Sequence, residues 1–447
     1  MSPLIRFLVH LTFFYTCVEG LVVNILYPAT LPFLYKDFVL VAVYVGVVVP
    51  NLERVLDPPP ISRALTAMLA LFGAMMLLYM LIPSNLTILS QLVAVKQRLY
   101  YMPLILVGYF FLRSTGDLKG LISAMAVYAI GVSLFGIYLH FAGPEGLVRM
   151  GAKYSAVFFT PVASRAEVTI WRVPGTFTSS GQYGAYLSLN AIVIAALLLV
   201  PNLRRWARLV AVVALVCIVF AMLASGSRAS IIVASAGIAL AMLMSGRLTR
   251  VGLWALVGYA VLAYGFVALG PGVQDRFDSI ASAEHLTRFQ RTYFGQLFLP
   301  SLLENPLGHG LGVATIGARH FSEFSKLIFT ESYFGILAVE TGLPGLMIFL
   351  CVVGAIVVLV VRHHRLMARA PDGPLWLAFG SYVLLTVGVM PVSTSIDHAP
   401  SNFYFWFAIG VLIRMVELEQ WRQWYLTSGN EGTPLAGGAT AVAATRT

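Results

Sequence analysis

Five arginines lie beside apolar runs of this chain, where a fixed positive charge needs an anionic partner. They are Arg172, Arg228, Arg276, Arg288 and Arg291. Arg288 and Arg291 are one turn apart in a helix, so there they share a face. A guanidinium suits phosphate because it offers two parallel hydrogen bonds. The set predicts a phosphate-binding site. The alternative is that each arginine snorkels to lipid phosphates or pairs with a nearby carboxylate.

The composition indicates which elements must position these arginines. Of 447 residues, 59% are hydrophobic and only 11% are charged, and the mean hydropathy is +0.85. A soluble domain of this composition would expose far too much apolar surface. A soluble enzyme, a disordered chain and a collagen-like chain are therefore excluded. The net charge of +10 has no soluble basic domain to hold nucleic acid, so the expected partners are membrane lipids or an anionic substrate.

We predict an all-α polytopic membrane protein with about twelve spans, since each span needs about 20 apolar residues. The predicted spans lie near 4–27, 29–50, 61–82, 98–113, 118–142, 181–200, 206–224, 228–246, 249–269, 332–362, 374–392 and 400–418. They form one transmembrane domain over 1–425. Two long segments, 143–180 and 270–331, are predicted loops, and the second is expected to carry amphipathic helices. A small-residue tail over 426–447 is expected to be disordered.

The short loops rich in arginine and lysine predict the orientation. Loops with Arg54, Arg113, Arg205 and Arg365 all fall on one side when the spans alternate, and that side is expected to be the cytoplasm. Both long loops, and the five arginines, then face outward.

Four strings, in order along the chain, resemble segments of one family. They are RVPGTFTSSGQYGAYL (172–187), SGSRASII (225–232), RFQRTYFGQLFLPSLLENPLGHGLG (288–312) and ESYFGILAVETGLPGLMIFL (331–350). The first is similar to the Arg-x-x-Gly-Thr-Phe segment of the O-antigen ligase and polymerase superfamily, and the last to its closing Tyr-Leu-rich helix. The resemblance covers about 172–350 directly.

The resemblance implies a bacterial inner-membrane glycosyltransferase of the GT-C type, with its active site facing the periplasm. Such enzymes use undecaprenyl-diphosphate-linked sugars as donors. By this resemblance Arg228 and Arg288 bind the donor diphosphate, and Arg172 is a further arginine of the substrate cavity. Arg291, which shares a helix face with Arg288, is a further candidate for substrate binding. The aromatic ring of Tyr333 is suited either to stacking on a sugar or to the membrane interface. A polysaccharide chain-length regulator is an implied partner.

One departure from the family pattern favours a polymerase over a ligase. Ligases carry His-Asn just before the closing helix, whereas this chain has Thr330-Glu331-Ser332-Tyr333. The resemblance therefore implies polymerisation of lipid-linked repeat units, with O-antigen ligation to lipid A-core as the alternative.

A transfer to a hydroxyl also needs a group that accepts its proton. Glu331 is the first candidate for this base and His320 the second. His309 and the adjacent Asp397 and His398 are weaker candidates. The arginines would take the place of a metal, because the sequence has no Asp-x-Asp motif and no ligand cluster at metal spacing. No cofactor is expected.

Two functions of other classes stay open at this point. About twelve spans would also suit a lipid-linked oligosaccharide transporter or flippase, although no inverted repeat is evident in the sequence. A non-catalytic scaffold would leave the arginines as lipid clamps.

Overall fold

The computed structural model describes most of the chain in nine stretches. They are 1–26, 31–81, 86–150, 160–163, 169–200, 203–245, 298–315, 317–318 and 327–427. The predicted span near 249–269 lies outside these residues, as does most of the 270–331 segment. The predicted tail over 426–447 also lies outside them, apart from its first two residues, which belong to the last helix.

The described residues are almost entirely α-helical. In chain order the helices are α1 (Pro3–Leu26), α2 (Leu31–Val48), α3 (Leu52–Leu56), α4 (Arg63–Tyr79), α5 (Ile88–Leu99), α6 (Leu104–Phe111), α7 (Thr115–Arg149), α8 (Ser180–Leu198), α9 (Arg205–Ser225), α10 (Arg228–Ser245), α11 (Leu299–Glu304), α12 (Tyr333–Arg369), α13 (Gly373–Val389) and α14 (Ser401–Thr427). Between α7 and α8, β1 (Thr160–Ala163) pairs antiparallel with β2 (Thr169–Arg172), with Thr160 opposite Arg172. This hairpin lies inside the predicted 143–180 loop.

Seven helical segments of the described chain are long and apolar enough to cross a membrane. They are Pro3–Leu26, Tyr35–Leu56, Thr115–Arg149, Ser180–Leu198, Arg205–Ser225, Tyr333–Arg369 and Ser401–Thr427. Three shorter apolar helices, Arg63–Tyr79, Ala229–Ser245 and Gly373–Val389, match three more predicted spans. The prediction of an α-helical polytopic membrane protein is confirmed at this level.

The predicted span near 98–113 is broken rather than continuous. Helix α5 ends at Leu99 and α6 begins at Leu104, with Pro103 as the N-cap of α6. Proline lacks the backbone N–H that a continuous helix would need here. Only Arg98 and Leu99 of the predicted span belong to α5, and the rest of this separate short helix lies ahead of the span.

Two long helices contain a break at a glycine in the left-handed region. Gly143 has φ 63° within α7, and Gly342 has φ 59° within α12. A proline follows closely in each case, Pro144 directly after Gly143 and Pro344 two residues after Gly342. Only glycine adopts this conformation without a steric penalty. The predicted loop at 143 therefore begins as a further helical stretch that ends at Arg149.

The core is built around α14, which packs against the short helix α6. A Cβ atom on Gly108 would lie 2.2 Å from the Phe407 carbonyl oxygen, and one on Gly410 would lie 1.9 Å from the Ile105 carbonyl oxygen. These two glycines let the helix backbones touch, as small residues do between membrane helices. Trp376 of α13 closes the other side and donates its indole N–H to the Leu412 carbonyl.

One end of the helical bundle is joined by ion pairs between helices. Arg6 of α1 lies 2.6 Å from Asp117 at the start of α7, and Lys119 lies 2.7 Å from Asp372 ahead of α13. We call this end, where α7 and α13 begin and α12 ends, the basic end. The opposite end, where α1 ends and α8, α10 and α12 begin beside the β-hairpin, is called the hairpin end.

Candidate functional site

The hairpin end brings together the starts of several helices. The turn at Ser395–Asp397 contacts α8, α12 and α14. The backbone N–H of Tyr333, the first residue of α12, donates to the Met390 carbonyl at 2.9 Å. The N-terminal turns of α8 and α12 therefore lie around the same short turn, which places two of the four resembling strings at one end of the bundle.

The loop that follows β2, residues 172–179, is fixed onto α1. Gly175 has φ 58°, which allows the chain to turn back. The Thr176 hydroxyl then donates to the Cys17 carbonyl, and the Leu21 N–H donates to the Thr176 carbonyl at 2.9 Å. A Cβ atom on Gly20 would lie 2.4 Å from the backbone of Phe177. The position of this loop is thus set by a close backbone contact with α1.

The same loop caps the start of α8. Ser179 is the N-cap, and its hydroxyl accepts from the Gln182 N–H at 3.2 Å. The Gln182 side-chain oxygen in turn accepts from the Thr178 N–H and hydroxyl, at 3.2 and 2.5 Å. These bonds satisfy backbone groups that a helix start leaves free.

Helix α10 begins beside the first turns of α8. The Ser188 hydroxyl donates to the Ser230 carbonyl at 2.9 Å, and a Cβ atom on Gly184 would overlap the Ser230 hydroxyl. Two helix N-termini, each carrying a partial positive charge, therefore lie side by side. Arg228 is the first residue of α10, and its side chain lies outside the described part of the structure.

Arg172 is the last residue of β2 and is half-buried at this end of the bundle. Its Nε atom is buried and makes no hydrogen bond. Burial lowers the pKa of the guanidinium from its ordinary value, and within the described residues no carboxylate forms a salt bridge with it. A buried guanidinium without a counter-ion favours binding of an anion.

Glu331 and Tyr333 lie in different environments although they are two residues apart. Glu331 is exposed just ahead of α12. Tyr333 is only 3% exposed and packs edge-on against Phe349, with ring centroids 5.3 Å apart. The tyrosine therefore faces the interior of the bundle, and the glutamate lies at its surface. The other predicted site residues, Arg288, Arg291 and His320, lie outside the described residues.

A buried ion pair that the sequence analysis missed lies behind this surface. Arg98 of α5 and Glu340 of α12 are 2.6 Å apart, and both side chains are 0% exposed. One Glu340 oxygen accepts from the Ala314 N–H, the Thr315 N–H and the Thr315 hydroxyl, at 2.8, 2.6 and 2.8 Å. Arg98 also donates to that hydroxyl at 2.9 Å. One Glu340 oxygen is thus well supplied with hydrogen bonds, as a buried charge requires, whereas the other Glu340 oxygen and the Nε and Nη1 atoms of Arg98 are buried and make no hydrogen bond.

A second carboxylate faces the same arginine. Asp397 is 1% exposed, and its charge acts on Arg98 together with that of Glu340. The Gln97 amide donates to the Asp397 carbonyl at 3.2 Å and accepts from the Gly317 N–H at 3.3 Å. Helix α5 therefore ties the segment before α12 to the turn before α14. The available sequence signal was a charge at the edge of the apolar run at 98–113, because such a charge needs a buried partner.

The glycine-rich string 305–312 folds onto the break in α12. The Leu343 N–H donates to the Pro306 carbonyl at 2.8 Å, and the Gly310 N–H donates to the Glu340 carbonyl at 3.1 Å. A Cβ atom on Gly308 would lie 2.5 Å from that same Glu340 oxygen. These bonds replace the helical ones lost at Gly342. The third and fourth resembling strings are therefore in direct contact, and Glu340 joins them.

Glu19 of α1, a carboxylate inside an apolar helix that needs a partner there, pairs with Lys36 of α2. The ammonium lies 2.7 and 2.8 Å from the two carboxylate oxygens. Lys36 is 6% exposed and its charge lies 5.6 Å from the centre of the Tyr101 ring. This pair is one residue from the close contact of Gly20 with the Arg172 loop.

No family model matches the chain, and no curated protein matches it. The family resemblance therefore stays a prediction that rests on the four strings. The geometry adds that the first two strings meet at the starts of α8 and α10, and that the last two meet at the break in α12.

Proposed function

We propose that the protein is a membrane glycosyltransferase that acts on undecaprenyl-diphosphate-linked oligosaccharides at its hairpin end. In this proposal the hairpin end faces the periplasm of a bacterial inner membrane, and the basic end faces the cytoplasm. Lipid-linked repeat units are both donor and acceptor, so the product is a polymer. A chain-length regulator is a proposed partner.

The observation that carries this proposal is the half-buried guanidinium of Arg172, whose buried Nε makes no hydrogen bond and which no carboxylate of the described stretches pairs with. Helices α8 and α10 begin at the same end of the bundle. A diphosphate has the charge and the oxygen geometry that such a site favours. Arg228 is the first residue of the neighbouring helix α10, and in this proposal it also binds the diphosphate. The donor must present its diphosphate at the membrane surface, which is where the helices α8 and α10 begin.

In the proposed reaction an acceptor hydroxyl attacks the anomeric carbon of the donor sugar. The bond from that carbon to the diphosphate oxygen breaks, and the lipid diphosphate leaves with the bonding electrons. The hydroxyl proton passes to a base, for which Glu331 and His320 are the proposed residues. Arginines held in place before the reaction stabilise the charge that develops on the leaving diphosphate, as preorganised donors do in other enzymes.

The acceptor distinguishes a polymerase from a ligase. Purified protein is incubated with one defined undecaprenyl-diphosphate oligosaccharide, in EDTA, with and without lipid A-core. We expect a ladder of longer lipid-linked products from the donor alone. Products that form only when lipid A-core is added would instead assign O-antigen ligation.

A transporter of the same lipid is a second candidate, and one observation favours it. The segment containing α5 and α6 is broken, α12 is broken at Gly342, and the buried Arg98–Glu340 pair joins the two. Broken membrane helices that carry charge are typical of transporter sites. Movement of labelled donor across proteoliposomes, with its chemistry unchanged, would favour this function over transfer.

Replacement of Gly20 by alanine is expected to displace the Arg172 loop. The added Cβ would lie 2.4 Å from the Phe177 backbone, so the loop must move, and a misplacement of about 1 Å can lower a rate about 10²-fold. We expect a loss of transfer in protein that still elutes as a single species from size-exclusion chromatography. In the control, Gly131→Ala on α7, the Cβ meets no atom within 4 Å. Equal transfer rates for Gly20→Ala and Gly131→Ala would show that the rate of transfer does not depend on the position of the Arg172 loop.

Glu331→Gln tests the proposed base. Loss of a general base lowers turnover by about 10²–10⁴-fold, whereas donor binding is expected to stay the same because the arginines are intact. Single-turnover rates and donor affinity are measured on the same preparation. Glu145→Gln, an exposed carboxylate at the end of α7, is the matched control. If Glu331→Gln turns over at the wild-type rate, the base is His320 or no side chain.

A further inference from the structure

A cleft of about 790 Å³ opens at the basic end, between the last residues of α10 and the last turns of α12. Its polar lining is Ser245, His364, Arg365 and Arg369, and its apolar lining includes Leu243. The cleft is at the opposite end of the bundle from the proposed transfer site. A ligand bound here would therefore be separate from the donor.

The two arginines of the cleft share a helix face and carry uncompensated charge. Arg365 and Arg369 are four residues apart on α12, so their side chains are neighbours. Both are exposed, and among the described carboxylates none forms a salt bridge with either. Asp372, which follows three residues after Arg369, is instead 2.7 Å from Lys119. The pair is arranged to hold an anion through several N–H donors.

The sides of the cleft are apolar and face the surroundings of the bundle. Leu243 is 66% exposed, and Val358 and Val361, on the two turns of α12 before Arg365, are 59% and 53% exposed. On a helix that is long and apolar enough to cross a membrane, such side chains lie against acyl chains. A ligand of this cleft would therefore have an anionic group and a hydrocarbon part next to it.

His364 adds a hydrogen-bond acceptor to the cleft. Its Nδ1 lies 2.6 Å from the Val361 carbonyl oxygen, which can only accept, so Nδ1 carries the hydrogen. In the neutral ring Nε2 is then an acceptor and cannot donate to a phosphate. It can accept from a hydroxyl of the ligand.

We propose that this cleft binds the headgroup of an anionic glycerophospholipid from the adjacent leaflet. Arg365 and Arg369 hold the phosphate, Nε2 of His364 accepts from a headgroup hydroxyl, and the acyl chains lie along Leu243, Val358 and Val361. The site does not depend on the proposed transfer reaction. It gives the arginines at this end a specific lipid ligand in addition to their general attraction to a negative surface.

The test titrates the detergent-solubilised protein with phosphatidylglycerol and counts bound lipids by native mass spectrometry. The double variant Arg365→Gln, Arg369→Gln is compared with the double variant Arg205→Gln, Arg208→Gln. The second pair is also exposed, on α9 at the same end, and its loss changes the net charge equally. An arginine that contacts the bound anionic headgroup contributes about a factor of five to lipid binding, about 1 kcal/mol. We expect affinity to fall about thirty-fold in the cleft variant and to change little in the control.

Three further measurements test whether binding needs the cleft itself, an anionic headgroup and a lipid rather than free phosphate. Ala368→Trp fills the cleft without removing charge and is expected to abolish tight binding of the lipid. Phosphatidylcholine with the same acyl chains is expected to bind weakly. Inorganic phosphate in millimolar excess is expected not to displace the lipid, and displacement would show that the cleft binds free phosphate. Equal losses in the two double variants, or unchanged binding in the cleft variant, would overturn the proposal.

Discussion

Arg172→Ala is expected to lower the rate of glycan transfer by about 10²–10³-fold, the typical effect of removing one preorganised donor from a developing negative charge. The residue is half-buried, its Nε has no hydrogen-bond partner, and its loop is fixed to α1 by the Thr176 contacts. Such a side chain is already in place before the donor binds. Initial rates with a defined lipid-linked donor give the effect directly. Arg228→Ala is expected to behave in the same way, because Arg228 begins the helix beside α8.

Arg149→Ala is the matched control for this result. Arg149 also lies toward the hairpin end, at the end of α7, but its side chain is 75% exposed and 3.4 Å from Glu145. Its loss should leave the transfer rate close to that of the wild type. Arg172→Lys keeps the charge and loses the forked geometry, so an intermediate rate is expected. Full activity of Arg172→Ala would remove the diphosphate site from this end of the bundle.

Arg98→Met is expected to cause the largest loss of stability of any single replacement considered. It leaves Glu340 and Asp397 buried without the cation that faces both. Removal of one partner from a buried ion pair costs about 3–5 kcal/mol. Glu340→Gln should cost less, because Arg98 then still faces Asp397 and the Thr315 hydroxyl. The measurement is the apparent melting temperature of the solubilised protein.

The double variant Arg98→Met, Glu340→Gln separates lost pairing from lost packing. If the damage in Arg98→Met comes from unpaired carboxylates, then adding Glu340→Gln should restore part of the stability. Arg149→Met, which breaks an exposed pair, should change the melting temperature very little. Either of two results would contradict this role of the ion pair. One is an equal apparent melting temperature for Arg98→Met and Arg149→Met. The other is a further loss of stability when Glu340→Gln is added to Arg98→Met.

The apolar helices could be predicted from the sequence because hydrophobic composition alone sets their length. The break between α5 and α6 was not predicted, because the predicted span near 98–113 ran across Pro103 from the end of α5 into α6. Arg98 of α5 pairs with Glu340. This partner is 242 positions away in the chain and is brought close only by tertiary packing. The same holds for Glu19, whose partner Lys36 is on the next helix.

The candidate site could be predicted in part from charge and position. Arg172 stands out in the sequence because an arginine beside an apolar run needs an anionic partner. Its loop position could not be predicted, because it depends on Gly20 admitting the Phe177 backbone at close range. The role of Glu340 could not be predicted either, because it joins two packed segments through its charge and its hydrogen bonds.

The release of free undecaprenyl diphosphate from a labelled donor, by purified protein in EDTA, tests the central claim most directly. We expect one undecaprenyl diphosphate to be released for each glycosidic bond formed between oligosaccharide units, and we expect Arg172→Ala to slow release and transfer by the same factor. Two results would contradict a glycosyltransferase at the hairpin end. In the first, the donor remains intact for hours in the presence of folded protein. In the second, the donor crosses a bilayer unchanged.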